Sequence, residues 1–138
     1  MRCGLPILLI LVAVLDAPLR AAPTFSVPQK DLPDPLVLIA YGDMRFTASS
    51  ETEASSPHAR PVLVARIAAE NPAAIFINGD VPWHGGNAKD YEVYRAETQV
   101  WRDANLRVFP ALGNHEFANC EVPQCLANWW TAFPPLKR

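Results

Sequence analysis

Three times in this chain a short apolar run halts at a glycine and is followed at once by a side chain able to bind a metal or move a proton. Residues 36–43 read Leu-Val-Leu-Ile-Ala-Tyr-Gly-Asp, residues 74–80 read Ala-Ile-Phe-Ile-Asn-Gly-Asp, and residues 109–116 read Phe-Pro-Ala-Leu-Gly-Asn-His-Glu. Continuous apolar runs this short suit strands buried on both faces, as in a parallel sheet covered by helices. Thirty-seven residues separate Asp43 from Asp80, and thirty-four separate Asp80 from Asn114. Each interval is the size of one strand-helix-strand unit. In such a sheet the loops beyond the carboxyl ends of the strands open into one crevice, so Asp43, Asp80 and Asn114 are expected to meet at one rim. A Gly-Asp or Gly-Asn pair taken singly is an ordinary turn. The recurrence is what makes it a site.

The intervening segments fit that scheme. Residues 44–57 are polar and rich in Ser, Thr and Glu, the composition of a long surface loop leaving a strand end. Pro57 or Pro61 suits a first helical turn, and residues 62–70 have helical composition until Asn71-Pro72 stops them. Residues 89–105 form the clearest predicted helix, with Tyr91, Tyr94, Thr98 and Trp101 on one face and Val93, Ala96 and Val100 beside it. Those aromatics read as core rather than as a stacking platform for bases. Residues 107–112 are expected to be the third strand, and residues 126–133 a short helix before Pro134 and Pro135.

With 138 residues the chain has room for one modest core. A formal charge of −2 supplies no basic field, so a nucleic-acid partner is not expected. Residues 1–21 carry the marks of an export signal: Arg2, a compact apolar stretch over residues 5–15, and small Ala21 at the cleavage edge. The alternative is an uncleaved anchor, against which stand Pro6 and Asp16; no stable membrane anchor is expected. The mature protein would then work in the periplasm or be secreted. Residues 22–35, with Pro23, Pro28, Pro33 and Pro35, form an extended lead-in, and residues 36–138 form the domain. In an oxidising compartment Cys120 and Cys125 read as a loop-closing disulfide. Two unpaired thiols are the alternative, and metal ligation a weaker one.

Hard oxygen ligands such as Asp43, Asp80 and Asn114 suit a pair of divalent or trivalent metal ions that clamp a phosphoryl group. The motifs Gly42-Asp43, Gly79-Asp80 and Gly113-Asn114-His115-Glu116 resemble, in order and spacing, the first three motifs of the calcineurin-like metallophosphoesterase superfamily, which includes the purple acid phosphatases. The Gly-Asn-His-Glu match is the specific one; the two Gly-Asp matches gain weight in combination. The resemblance implies an α/β fold: the N-terminal half of a β-sandwich flanked by helices and built from βαβ units. It implies two metal ions (iron, manganese or zinc), with Asp43 on the first, Asp80 bridging both, Asn114 on the second, and His115 acting on the phosphate or the leaving group.

Two departures qualify it. The family commonly has His two residues after the first Asp, where this chain has Arg45. Arg stays protonated and does not ligate metal in the ordinary way, which leaves a catalytic contact to substrate phosphate, a structural ion pair, or a weakened first metal site. In purple acid phosphatases a Tyr lies three residues after the second Asp; here that place is Trp83, followed by His84, either a weak ligand to the first metal or a solvent-facing loop residue. The further His ligands of the family's second half, with its Gly-His-x-His segment, are not in this chain, so two metals would be incompletely ligated. The expected function is metal-dependent hydrolysis of a phosphoester substrate by the N-terminal part of a longer enzyme. A truncated, inactive fragment or binding module that keeps the fold is the alternative.

Overall fold

In the computed structural model, residues 28–134 are described; residues 1–21, where an export signal is expected, most of the lead-in and residues 135–138 lie outside the described residues. Three parallel strands, β1 (Leu38–Tyr41), β2 (Ala74–Ile77) and β3 (Val108–Pro110), form one sheet in the order β1-β2-β3. Leu38 is in register with Ala74, and Ile75 with Val108. Helix α1 (Ala59–Ala69) links β1 to β2, α2 (Ala88–Glu97) and α3 (Gln99–Asp103) link β2 to β3, and α4 (Val122–Ala132) follows β3. The repeated strand-helix-strand order is therefore present, and it brings three strand ends to one edge. Among the described residues no helix is long and apolar enough to cross a membrane.

The helix ends are written locally. Asn71 and Asn105 take left-handed backbone angles, φ of 45° and 53°, one residue beyond the caps of α1 and α3. Asn tolerates that conformation, so both helices end the same way before the chain enters the next strand. The single helix expected over residues 89–105 is broken at Thr98. Its hydroxyl donates to the Tyr94 carbonyl at 2.6 Å, and the chain restarts as α3. The last helix starts earlier than expected, at Val122, with a proline in its first turn where no N–H is needed.

Ile39, Tyr41, Ile75, Ile77 and Val108 face the helices and join a core with Phe46, Val64, Ile67, Tyr94, Trp101, Trp129 and Phe133. Trp101 is 1% exposed and donates its indole N–H to the Val64 carbonyl at 2.9 Å. On the other face Leu38 and Phe76 are exposed, and Phe76 stacks on Phe109 at 5.5 Å. The expectation that β1 is buried on both faces is thus corrected: its burial alternates. Its continuous apolar run suits a sheet covered on both sides, and the described residues cover one.

The segment after β1 is also more than a surface loop. Phe46 within it is fully buried, edge-on to Tyr94 at 5.2 Å, and the Arg60 guanidinium lies over its ring. Arg60, itself 2% exposed, donates to the Thr47 carbonyl and pairs with Glu97 at 2.9 Å. We expect Phe46→Ala to lower stability by about 3 to 5 kcal/mol in urea denaturation. Burial raises the Tyr94 hydroxyl from its ordinary value of 10 to about 12, partly offset by Arg102, by a hydrogen bond with Thr98 and by Arg95, and pushes that of Tyr41 up as well. Unfolded tyrosines ionise first as pH rises, so this contribution to stability is intact below pH 10 and should be lost between pH 10 and about 12. Chemical denaturation across that range checks it.

Candidate functional site

Two aspartates are set by the same backbone device. Asp43 follows Gly42 and Asp80 follows Gly79, and both aspartates have φ of 57°. The left-handed turn lifts each out of the β1–β2 ladder, which then resumes: the Phe46 N–H donates to the Val81 carbonyl at 2.7 Å and the Trp83 N–H to the Phe46 carbonyl at 3.0 Å, a parallel bridge between Phe46 and Pro82. Paired backbone therefore lies on both sides of the aspartates and fixes where they sit. Gly79 has φ of 91°, and a Cβ there would lie 2.7 Å from the Gly113 Cα. The second and third glycines thus let two strand-end loops touch backbone to backbone.

Glu116 locks that contact. Its carboxylate is 1% exposed and accepts three backbone N–H groups: Asp80 at 3.0 Å and Gly113 at 2.6 Å on Oε2, and Val81 at 2.8 Å on Oε1. The last residue of the Gly-Asn-His-Glu motif is thus a clamp between loops. Asp90 does similar work behind it, accepting from the Thr47 hydroxyl, the Asn87 amide and the His84 N–H, each at 2.9 Å. Burial pushes the hydroxyl of neighbouring Tyr91 up, and the charges of Glu116 and Asp90 add to the rise.

His115 is held from two sides. Its backbone N–H donates to Asp80 Oδ1 at 3.0 Å, and its Nδ1 lies 2.6 Å from the Trp83 carbonyl oxygen. A carbonyl only accepts, so Nδ1 carries the hydrogen and Nε2 is left as the nitrogen that can exchange a proton. Its ring stacks on Trp83 with centroids 4.7 Å apart. Trp83 thereby orients the imidazole with both its ring and its backbone. The sequence signal for that role was its place three residues after Asp80, and its value became visible only with the stack.

Arg45 joins the two aspartates. Its Nη2 lies 2.9 Å from Asp43 Oδ1 and 3.7 Å from Asp80 Oδ2, and its guanidinium is 5.7 Å from the centre of the Trp83 ring. The Asp43 side chain is 71% exposed and that of Asp80 only 10%. Asn114 caps the 3₁₀ turn His115–Phe117, next to the N–H that binds Asp80, and is exposed at the same edge. The His84 ring lies against Trp83 at 5.0 Å, and its backbone N–H goes to Asp90. Cys120 and Cys125 form a disulfide, with Cα atoms 5.8 Å apart, which closes the loop ahead of α4. Asn128 of α4 donates to the Gly85 carbonyl at 2.8 Å and ties that helix to the loop carrying His84.

These positions provide a test of the metal reading. The guanidinium is a stand-in cation, and it shows Asp43 and Asp80 converging on one positive charge with hard oxygen donors. Among the described residues, however, no group of three or more His, Cys, Asp or Glu side chains could hold a metal ion. The donors fit one cation shared by two carboxylates, with Asn114 at the same rim, and fall short of a closed shell for two.

Comparison with known proteins agrees with the family resemblance. The family model for calcineurin-like phosphoesterases matches residues 34–134. No curated protein gives a significant match. We expect Glu116→Gln to cost about 3 kcal/mol, because its amide NH₂ would face N–H donors that now share a carboxylate. Hydrogen exchange should then quicken at the Asp80, Val81 and Gly113 amides, and unchanged protection there would refute the clamp.

Proposed function

The chain belongs to the calcineurin-like phosphoesterases, and on that premise we propose that it hydrolyses phosphoesters with a metal ion held by Asp43, Asp80 and Asn114. The observation that carries this reading is the convergence of Asp43 and Asp80 on one cation, the Arg45 guanidinium. Bound at these oxygens, a divalent or trivalent ion such as iron, manganese or zinc would supply charge against the phosphoryl oxygens and would make a water molecule more acidic. His115, with Nδ1 committed to the Trp83 carbonyl, presents Nε2 to deliver a proton to the departing oxygen. Arg45, once its guanidinium leaves the two aspartates, would contact the phosphate with paired N–H groups, a geometry suited to paired oxygens. Export to the periplasm or the medium is part of the same proposal, supported by the Cys120–Cys125 bond, which persists in oxidising compartments.

A second reading has its own support. With fewer than three His, Cys, Asp or Glu ligands converging among the described residues, the chain would bind a cation and a phosphate without turnover. Mn²⁺ titration by calorimetry combined with hydrolysis of 4-nitrophenyl phosphate separates the two. For the hydrolase, Asp80→Asn should weaken Mn²⁺ binding at least about tenfold, and His115→Ala should lower kcat about 10²-fold or more with Mn²⁺ affinity kept. Mn²⁺ binding with no turnover would establish the binding module. Mn²⁺ affinity unchanged in Asp80→Asn would remove the metal assignment altogether.

A further inference from the structure

We propose that Arg45 is a built-in competitor for the metal: its guanidinium occupies the Asp43–Asp80 pair and must swing off it before a divalent cation can bind there. The proposal rests on the metal reading of the same two carboxylates and adds to it a regulation that this chain carries in its own sequence. Nη2 reaches both aspartates, at 2.9 and 3.7 Å, so one positive charge already satisfies the pair. A metal ion and the guanidinium cannot both take those oxygens, since each needs the same lone pairs and the two repel.

The Arg45 backbone is pinned on both sides. Its N–H donates to the Asp80 carbonyl at 3.0 Å, and its carbonyl accepts from the Ser55 hydroxyl at 3.2 Å. Exchange is therefore a side-chain rotation and asks nothing of the fold. The side chain is 32% exposed. Its Nε is buried without a hydrogen-bond partner, so the closed position leaves one donor unsatisfied. Leaving the pair lets that donor find water or a phosphate oxygen, which makes the closed position reversible. In the closed position the guanidinium already lies 5.7 Å from the centre of the Trp83 ring, on which the His115 ring also stacks.

The expected size follows from occupancy. If the guanidinium holds the carboxylates roughly nine-tenths of the time, the apparent metal affinity is lowered about tenfold. Mn²⁺ titrated calorimetrically into Arg45→Ala should therefore bind about tenfold more tightly than into the unaltered chain. Arg45→Gln, which keeps a polar side chain but removes the charge, should do the same, and circular dichroism checks that each variant folds. Arg107→Ala removes the same charge at the opposite end of β3 and should leave the affinity within about twofold. Unchanged or weaker binding in both Arg45 variants would overturn the proposal, as would equal tightening in Arg107→Ala, which would make net charge the cause. Asp80→Asn separates the two levels. If it binds Mn²⁺ like the unaltered chain, the metal reading fails and the competitor with it; if it loses binding while the Arg45 variants show no gain, the competitor alone fails.

Discussion

A buried carboxylate with three backbone N–H groups aimed at it holds the rim of this domain together. Glu116 bonds the loop after β2 at two amides and the loop after β3 at one, and water barely reaches it. A charge in that position is tolerated because each bond is charge-assisted and the donors would otherwise be orphaned by the same turns that lift Asp80 out of the ladder. Glycine is required on both sides because the loops touch backbone to backbone. The site geometry is thus set by main-chain contacts, and the exposed side chains inherit it.

The same logic extends outward in layers. Asp90 ties the loops after β1 and β2 to the first turn of α2, where its charge also suits the helix dipole. Arg60, paired with Glu97, brings the segment after β1 down onto α1 and α2. The Cys120–Cys125 bridge, closing a short loop, restricts the unfolded chain by about 2 kcal/mol in the chain-entropy account. Most of the buried polar side chains between sheet and helices are spent on positioning the loops, and the apolar core beneath them supplies the stability that this arrangement draws on.

Much of this was legible in the sequence, and the reason is periodic. Three apolar runs ending in glycine and a polar residue declared both the strands and the edge where they end, and Tyr91, Tyr94 and Trp101 declared the buried helix face. What remained hidden depended on partners far along the chain. Glu116 stands in the sequence only as the end of the Gly-Asn-His-Glu motif; its contact with a loop 35 and 36 residues earlier makes it a clamp. Thr98 broke a helix through a hydroxyl bond that helical periodicity does not register. The half-exposed sheet defeated the reading of β1 for a different reason, since an apolar run states what a strand can bury without stating what covers it.

Arg45 shows how one substitution within a motif changes the demands on the rest. An imidazole at that place would be a neutral ligand adding to a metal site; a guanidinium adds charge and cannot ligate. Two aspartates that would repel each other in an empty site are instead neutralised in part by the chain itself, one of them with its side chain largely in water and the other almost dry. The buried partner is the constrained one: Asp80 already gives Oδ1 to the His115 N–H, so its remaining oxygen is the one that any cation must win. That single oxygen links the position of the imidazole, the resting place of the guanidinium and the capacity for metal. A change at Asp80 should therefore disturb all three together, whereas a change at exposed Asp43 should leave His115 where it is.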